Sequence, residues 1–235
     1  MRIAFLIAAL GLWSSFGFAA EEEHIHAAGK SPVALKLNND GVDYVAKGDF
    51  VNARKCFDEA IRIDPTMWPV YLNRARVDLK EHKLKQGLDD CTMAMRGHPA
   101  YSRSAVLRAD VYAKMGHYDV ARSELDKLIV LGGRGDAYDH ALNMSAWLRA
   151  TCPDSRFRNG PLAITEATRA LNLPSVHKAS YMDTLAAAYA EIGNFDVAVH
   201  TEEKALGLTE SPEQMKDLQR HLTSFKEHRP WREHP

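Results

Sequence analysis

Eleven histidines, three cysteines and 31 carboxylates are spread over 235 residues, so chemistry must be sought in their spacing. His24 and His26 stand two apart in Glu21-Glu22-Glu23-His24-Ile25-His26 and could share a metal ion. Two ligands on one short stretch leave most of a coordination sphere open, which makes a poor site. Cys56, Cys91 and Cys152 form no Cys-x-x-Cys and no Cys/His spacing for zinc. They read as two helical thiols, buried or half-buried, and one thiol, Cys152, in a loop before Pro153, where it is expected to be the most accessible. Cys152 is therefore the candidate nucleophile, although no Gly-x-Ser-x-Gly elbow or His-Glu-x-x-His helix accompanies it. Gly132-Gly133-Arg134-Gly135 lacks the Lys-Ser/Thr ending of a phosphate loop and reads as a helix-to-helix linker. Asn143-Met144-Ser145 is formally a glycosylation acceptor but falls inside a predicted helix. These spacings argue against an enzyme and call for no cofactor and no metal.

The residues that could act are thus those of a binding surface, and the elements that position them repeat. Setting Pro65 under Pro99 aligns the preceding segments over 34 residues. Gly41, Ala75, Ala109 and Ala186 then share one column, and Gly48, His82, Gly116 and Gly193 another. Phe50, Leu84, Tyr118 and Phe195 share a third; Ala53, Gly87, Ala121 and Ala198 a fourth; Phe57, Cys91, Leu125 and Glu202 a fifth. The pattern predicts pairs of antiparallel helices, neither of which can bury its apolar stripe alone, so that neighbours must stack. Small residues in the first column let the two helices approach. Glycine in the second suits a left-handed backbone at the turn. Pro65 and Pro99 end the second helix of a pair, because the residue before proline is pushed out of the helical region.

The fourth pair is irregular. Its helices are expected near 139–151 and 161–173, separated by the segment 152–160, with Asn159-Gly160-Pro161 turning into the second of them. After the fifth pair, Pro212 to about Lys226 reads as a last helix, with Leu218, Leu222 and Phe225 inward and Lys216, Asp217, Arg220 and Glu227 toward water. Residues 228–235 are expected to be a loose tail.

These columns resemble the tetratricopeptide repeat (TPR) family. The run Ala146-Trp147-Leu148-Arg149-Ala150-Thr151-Cys152-Pro153-Asp154, followed by Asp183-Thr184-Leu185-Ala186-Ala187-Ala188-Tyr189, resembles a bacterial, exported subtype of it. The departures are His82 at a turn glycine, Gly87 at an alanine and Gly132-Gly133 where proline is usual. The resemblance implies an all-α fold, a right-handed α-solenoid of about five TPR-like helix pairs plus a C-terminal capping helix. Its parts would be a signal peptide (1–19), a flexible segment (20–33), repeats one to three (34–135), repeats four and five with an insertion at 152–160 (136–212), the capping helix (213–227) and the tail (228–235).

In that family the first helices of the pairs line a concave groove for extended peptides. Here those helices would present Asn38, Asn73, Arg76, Arg103, Asp110, Lys114, Asn143, Trp147 and Asp183. Amides and guanidinium groups suit peptide backbone and carboxylates, and an indole supplies flat apolar area. Arg76, Arg103 and Lys114 would form a basic stripe for an acidic peptide. Only Asn73 and Arg103 match the set with which some relatives clamp a C-terminal carboxylate, so that clamp is set aside. Asn143, Trp147 and Asp183 either line a pocket beside the long loop or are consumed in packing under it; packing is preferred.

Composition bounds the rest. With 46% hydrophobic and 26% charged residues the chain is globular, and a formal charge of −1 gives no field favouring nucleic acid. Arg2, the apolar run Ile3–Leu12 and small residues around Ala19 have the layout of a cleaved secretory signal, interrupted by Ser14-Ser15 and followed by acidic residues. The expectation is an exported adaptor, periplasmic or secreted and bacterial. It would bind a protein or peptide, not nucleic acid, with no stable membrane insertion once the signal is cleaved. The alternative is a structural, self-associating component of a cell-envelope assembly.

Overall fold

The computed structural model describes residues 31–98, 102–130 and 137–233. The signal sequence, His24 and His26, Pro99 and the Gly132-Gly133 linker lie outside them. Every regular element among the described residues is helical. The helices fall into two compact units, divided after residue 100.

In the first unit, α1 (Pro32–Ala46) pairs with α2 (Phe50–Ile63), and α3 (Trp68–Lys80) with α4 (Leu84–Gly97). Local chemistry sets the boundaries. Ser31 and Asp49 accept from the backbone N–H groups of Ala34 and Asn52, capping α1 and α2. Pro65 follows the end of α2, where Asp64 N–H donates to the Ala60 carbonyl. Between the two helices Gly48 takes φ +75°, as the column of glycines requires. His82 holds the same left-handed conformation at φ +57° despite its side chain. The absence of a side chain at Gly41 is equally specific: a Cβ there would stand 2.5 Å from Cε1 of Phe57. Phe57 is fully buried between Ala34, Val45, Ala53 and Ala60, a burial that contributes about 1.5–3 kcal/mol.

The second unit runs through α5 (Ser102–Lys114), α6 (Tyr118–Val130), α7 (Tyr138–Thr151), α8 (Gly160–Asn172), α9 (Lys178–Glu191), α10 (Phe195–Leu206) and α11 (Pro212–Lys226). Consecutive helices pair, and the first helices also touch one another, α5 on α7, α7 on α9 and α9 on α11. Gly116 and Gly193 repeat the left-handed turn at φ +80°. Leu218, Leu222 and Phe225 are buried under α11, as its periodicity predicts. Asp217 is buried too, rather than facing water, and accepts from Arg220 at 3.2 Å.

Two further expectations fail in this unit, the access of Cys152 and the looseness of residues 229–233. The segment 152–160 is folded: it holds a 3-10 turn at Ser155–Phe157, and Phe157 packs on Tyr118 with ring centroids 5.7 Å apart. Arg158 donates to the Cys152 and Pro153 carbonyls and to Glu191. Cys152, expected to be accessible, is instead the C-cap of α7 and 1% exposed, packed with Leu148 and Met144. The tail is not loose either. After His228, at φ +56°, the chain turns back and residues 229–233 lie on the unit's own helices.

Candidate functional site

That returning segment defines the most informative surface. The Trp231 ring lies 4.3 Å from the His221 ring of α11, with the Arg220 guanidinium 5.5 Å from the indole. Arg232 donates to the Ala150 carbonyl at the end of α7 and pairs with Glu191 at the end of α9. Glu233 donates its backbone N–H to the Thr151 carbonyl at 3.0 Å and accepts from Trp147 Nε1 at 3.2 Å. Its charge is felt by Asp110 and Lys114 of α5. The segment thus lies over the C-terminal ends of α7 and α9 and against α11, held by backbone groups, one ion pair and one aromatic anchor.

The segment reaches one of the expected binding residues, Trp147, and two others are buried beside it in the same unit. Asn143, Trp147 and Asp183 are 0%, 4% and 0% exposed, so none lines an open pocket. Trp147 packs with Ala150, Ala163, Ala187 and Phe225, and its indole N–H serves Glu233. Trp147 is packed away, as preferred, but its indole N–H meets residue 233 instead of the loop 152–160, and Asp183 bonds His221 instead of bracing that loop. Asp110 is also buried, and its carboxyl is pushed above the ordinary range by burial, with Lys114 3.8 Å away pulling the other way. Arg103 stands in the first turn of α5 and is half-buried.

In the first unit the expected residues form one network. Asn73 donates to Asn38 Oδ1 at 2.9 Å, linking α3 to α1, and Arg76 donates to Asn73 Oδ1 at 3.2 Å. Asn38 is buried, while Asn73 and Arg76 are partly exposed. The basic stripe is divided: Arg76 lies in the first unit, Arg103 and Lys114 in the second.

The sequence reading missed a cluster beneath Trp231. Asp183 of α9, Glu202 of α10 and His221 of α11 each bring one ligand atom within 4.8 Å of the others. Asp183 Oδ1 lies 2.8 Å from His221 Nδ1, and Glu202 Oε1 3.9 Å from the same nitrogen. All three are buried, at 0%, 0% and 4% exposure. Burial and the neighbouring Asp183 hold the Glu202 carboxyl well above the carboxylate range. Burial draws the His221 imidazole down, but Asp183 outweighs it and the net shift is upward. A signal was present in the repeat itself: Glu202 fills the column where Phe57, Cys91 and Leu125 are completely buried.

Comparison with known proteins agrees with the helix pairs. Residues 44–67 match the tetratricopeptide-repeat family. Over 115 residues the chain is 30% identical to human DnaJ homolog subfamily C member 7, a match that covers 47% of this chain and 23% of that protein. Among the first curated relatives, the chain spans 16–23% of their length. The Cut9–Hcn1 hetero-tetramer of the APC/C superposes with a TM-score of 0.70 at 17% identity, over 83% of this chain and 36% of that one. A thermophilic TPR protein of Thermus thermophilus superposes with a TM-score of 0.68 at 19% identity, over 82% and 98%. The fold is therefore the all-α, α-solenoid type, and residues 44–67 match the tetratricopeptide repeat in sequence.

Proposed function

We propose that this protein is an exported, non-enzymatic adaptor whose repeats bind an extended segment of another polypeptide on the faces of their first helices. The observation that carries the reading is the lie of residues 229–233. A stretch of plain chain is held across α7 and α9 by the carbonyls of Ala150 and Thr151, by Glu191 and by the Trp147 indole. We read this returning chain as an occupant of the kind of surface that the repeats would offer to a partner segment. The first unit carries the equivalent polar set in Asn38, Asn73 and Arg76, with two of the three partly exposed. Amide and guanidinium groups in that arrangement match the carbonyls and carboxylates of an incoming strand. Export rests on the basic start, apolar run and small residues of 1–20.

Affinity capture from an envelope fraction tests the reading, with the wild type beside Asn73→Ala/Arg76→Ala. A partner held by the wild type should be lost from the double variant while its helical circular dichroism is retained. Recovery of the same partner in the same amount from both overturns the proposed face. Recovery of the protein in the cytoplasmic fraction, with residues 1–19 still attached, overturns export.

A further inference from the structure

The cluster of Asp183, Glu202 and His221 has no place in peptide binding, and its chemistry is that of a ligand set. The Asp183–His221 hydrogen bond alone is an ordinary buried pair. Glu202 makes it different. Its side chain is fully buried and aimed at that pair, yet no N–H or hydroxyl donor reaches either of its oxygens or Asp183 Oδ2, and what Glu202 meets is the Asp183 carboxylate, with which it can share only a proton. Buried polar groups are almost always satisfied, so a fully buried carboxyl that no fixed donor faces calls for an explanation. One ligand atom from each of three helices, two carboxylate oxygens and an imidazole nitrogen, lies within 4.8 Å of the others.

We propose that Asp183, Glu202 and His221 form a structural binding site for a divalent transition-metal cation, with Zn2+ the best fit, which fastens α9, α10 and α11 together. Tetrahedral zinc with bonds of about 2.0–2.1 Å sets its ligand atoms about 3.3 Å apart. The separations found, 2.8 Å and 3.9 Å from His221 Nδ1, bracket that value. Two carboxylates and one imidazole give zinc three of its four ligands, the fourth position falling to a second carboxylate oxygen or one water, whereas magnesium asks for an octahedral shell of oxygens with several waters. Two negative charges balance one divalent ion, which offsets the cost of burying a carboxylate in an apolar column. The Trp231 ring over His221 then closes the site from the side of the returning segment.

The test is calorimetric titration of Zn2+ into the full chain after chelator treatment, with thermal melts alongside. The expected result is one tight ion per chain and a raised Tm, with no comparable effect of Mg2+. Glu202→Gln and His221→Gln each keep the side-chain size and should weaken that binding at least about 100-fold and abolish the Tm rise. Replacing His24 and His26 should leave both unchanged, which separates this site from the histidines near the N-terminus. Absence of a tight equivalent, or its survival with the same Tm rise in Glu202→Gln, overturns the proposal. So does a Glu202→Gln chain whose Tm exceeds that of the metal-free wild type while Zn2+ fails to shift the wild type. In that case the cluster is held by shared protons.

Discussion

Trp147 and Glu233, 86 positions apart, are joined by an indole N–H to carboxylate hydrogen bond of 3.2 Å. The bond closes the end of the second unit over a helix, α7, whose residues 140–151 are all buried. Trp231 supplies the apolar area that makes the turn at His228 worthwhile, since Arg232 and Glu233 together gain only exchangeable polar contacts. Trp231→Ala should release the segment at a cost of about 1–3 kcal/mol in denaturant melts. It should also bring hydrogen exchange of the Glu233 amide, bonded to the Thr151 carbonyl in the native protein, close to the unstructured rate. Continued protection of that amide would mean that the polar contacts hold the segment without the ring.

Arg149 bridges three helices, donating to Glu166 of α8 at 3.1 Å and to Asp126 of α6 at 2.8 Å. Glu166 is buried, and burial raises its carboxyl above the ordinary range even though Arg149 pulls it down. Arg149→Leu leaves that carboxyl without its cation, at an expected cost of about 3–5 kcal/mol at neutral pH. The sign with pH follows from linkage. With the folded pKa raised, protonated Glu166 is the better tolerated form, so stability is retained in acid and lost as pH rises through the folded value. The deficit of Arg149→Leu should therefore be smaller at pH 4 than at pH 7, measured by urea melts at both. Arg149→Leu/Glu166→Leu should recover most of the loss, and a double variant as unstable as the single would refute the account.

These two groups of residues also show where sequence is legible and where it is not. The pairing of α1 with α2 can be read from the columns, because Gly41 and Phe57 recur as a small and a large residue whose contact is set by local helix geometry. The segment 229–233 has no period, and its partners lie 82 and 86 residues back in α7, so only packing of the complete unit reveals where it rests. Cys152 escapes prediction for the same reason: a Cys-Pro step reads as loop, yet it caps a helix whose surroundings fold over it. Glu202 is visible in the alignment as a carboxylate in an apolar column, but its companions come from α9 and α11.

The turn column separates backbone strain from crowding. Gly116 sits at φ +80° with nothing within 4 Å of where a Cβ would stand. Gly116→Ala should thus cost about 1 kcal/mol through backbone conformation alone. His82 already bears that strain at φ +57°, and His82→Gly should stabilise the first unit by roughly 0.5–1 kcal/mol. Gly41→Ala tests the opposite cause, a Cβ forced to 2.5 Å from Phe57, with an expected loss of about 1–3 kcal/mol. Thermal melts of the three variants should rank His82→Gly above wild type and both alanine variants below it. A neutral His82→Gly would show that the imidazole contributes contacts that offset its backbone.

No disulfide joins the three cysteines, and their burial orders their reactivity. Cys56 is half-buried on α2, whereas Cys91 is 0% and Cys152 1% exposed. Burial also pushes the Cys152 thiol up, away from the thiolate that attacks electrophiles, and the nearby Arg158 and Arg232 charges do not reverse this. A nucleophilic role needs an accessible thiolate, and Cys152 has neither property. Timed labelling of the native protein with a maleimide, read by peptide mass spectrometry, should therefore modify Cys56 first. Cys91 and Cys152 should follow at least about 100-fold more slowly, and all three should label together in denaturant. Rapid labelling of Cys152 in the native state would mean that the segment 152–160 opens around it, and would restore this thiol as a candidate for chemistry.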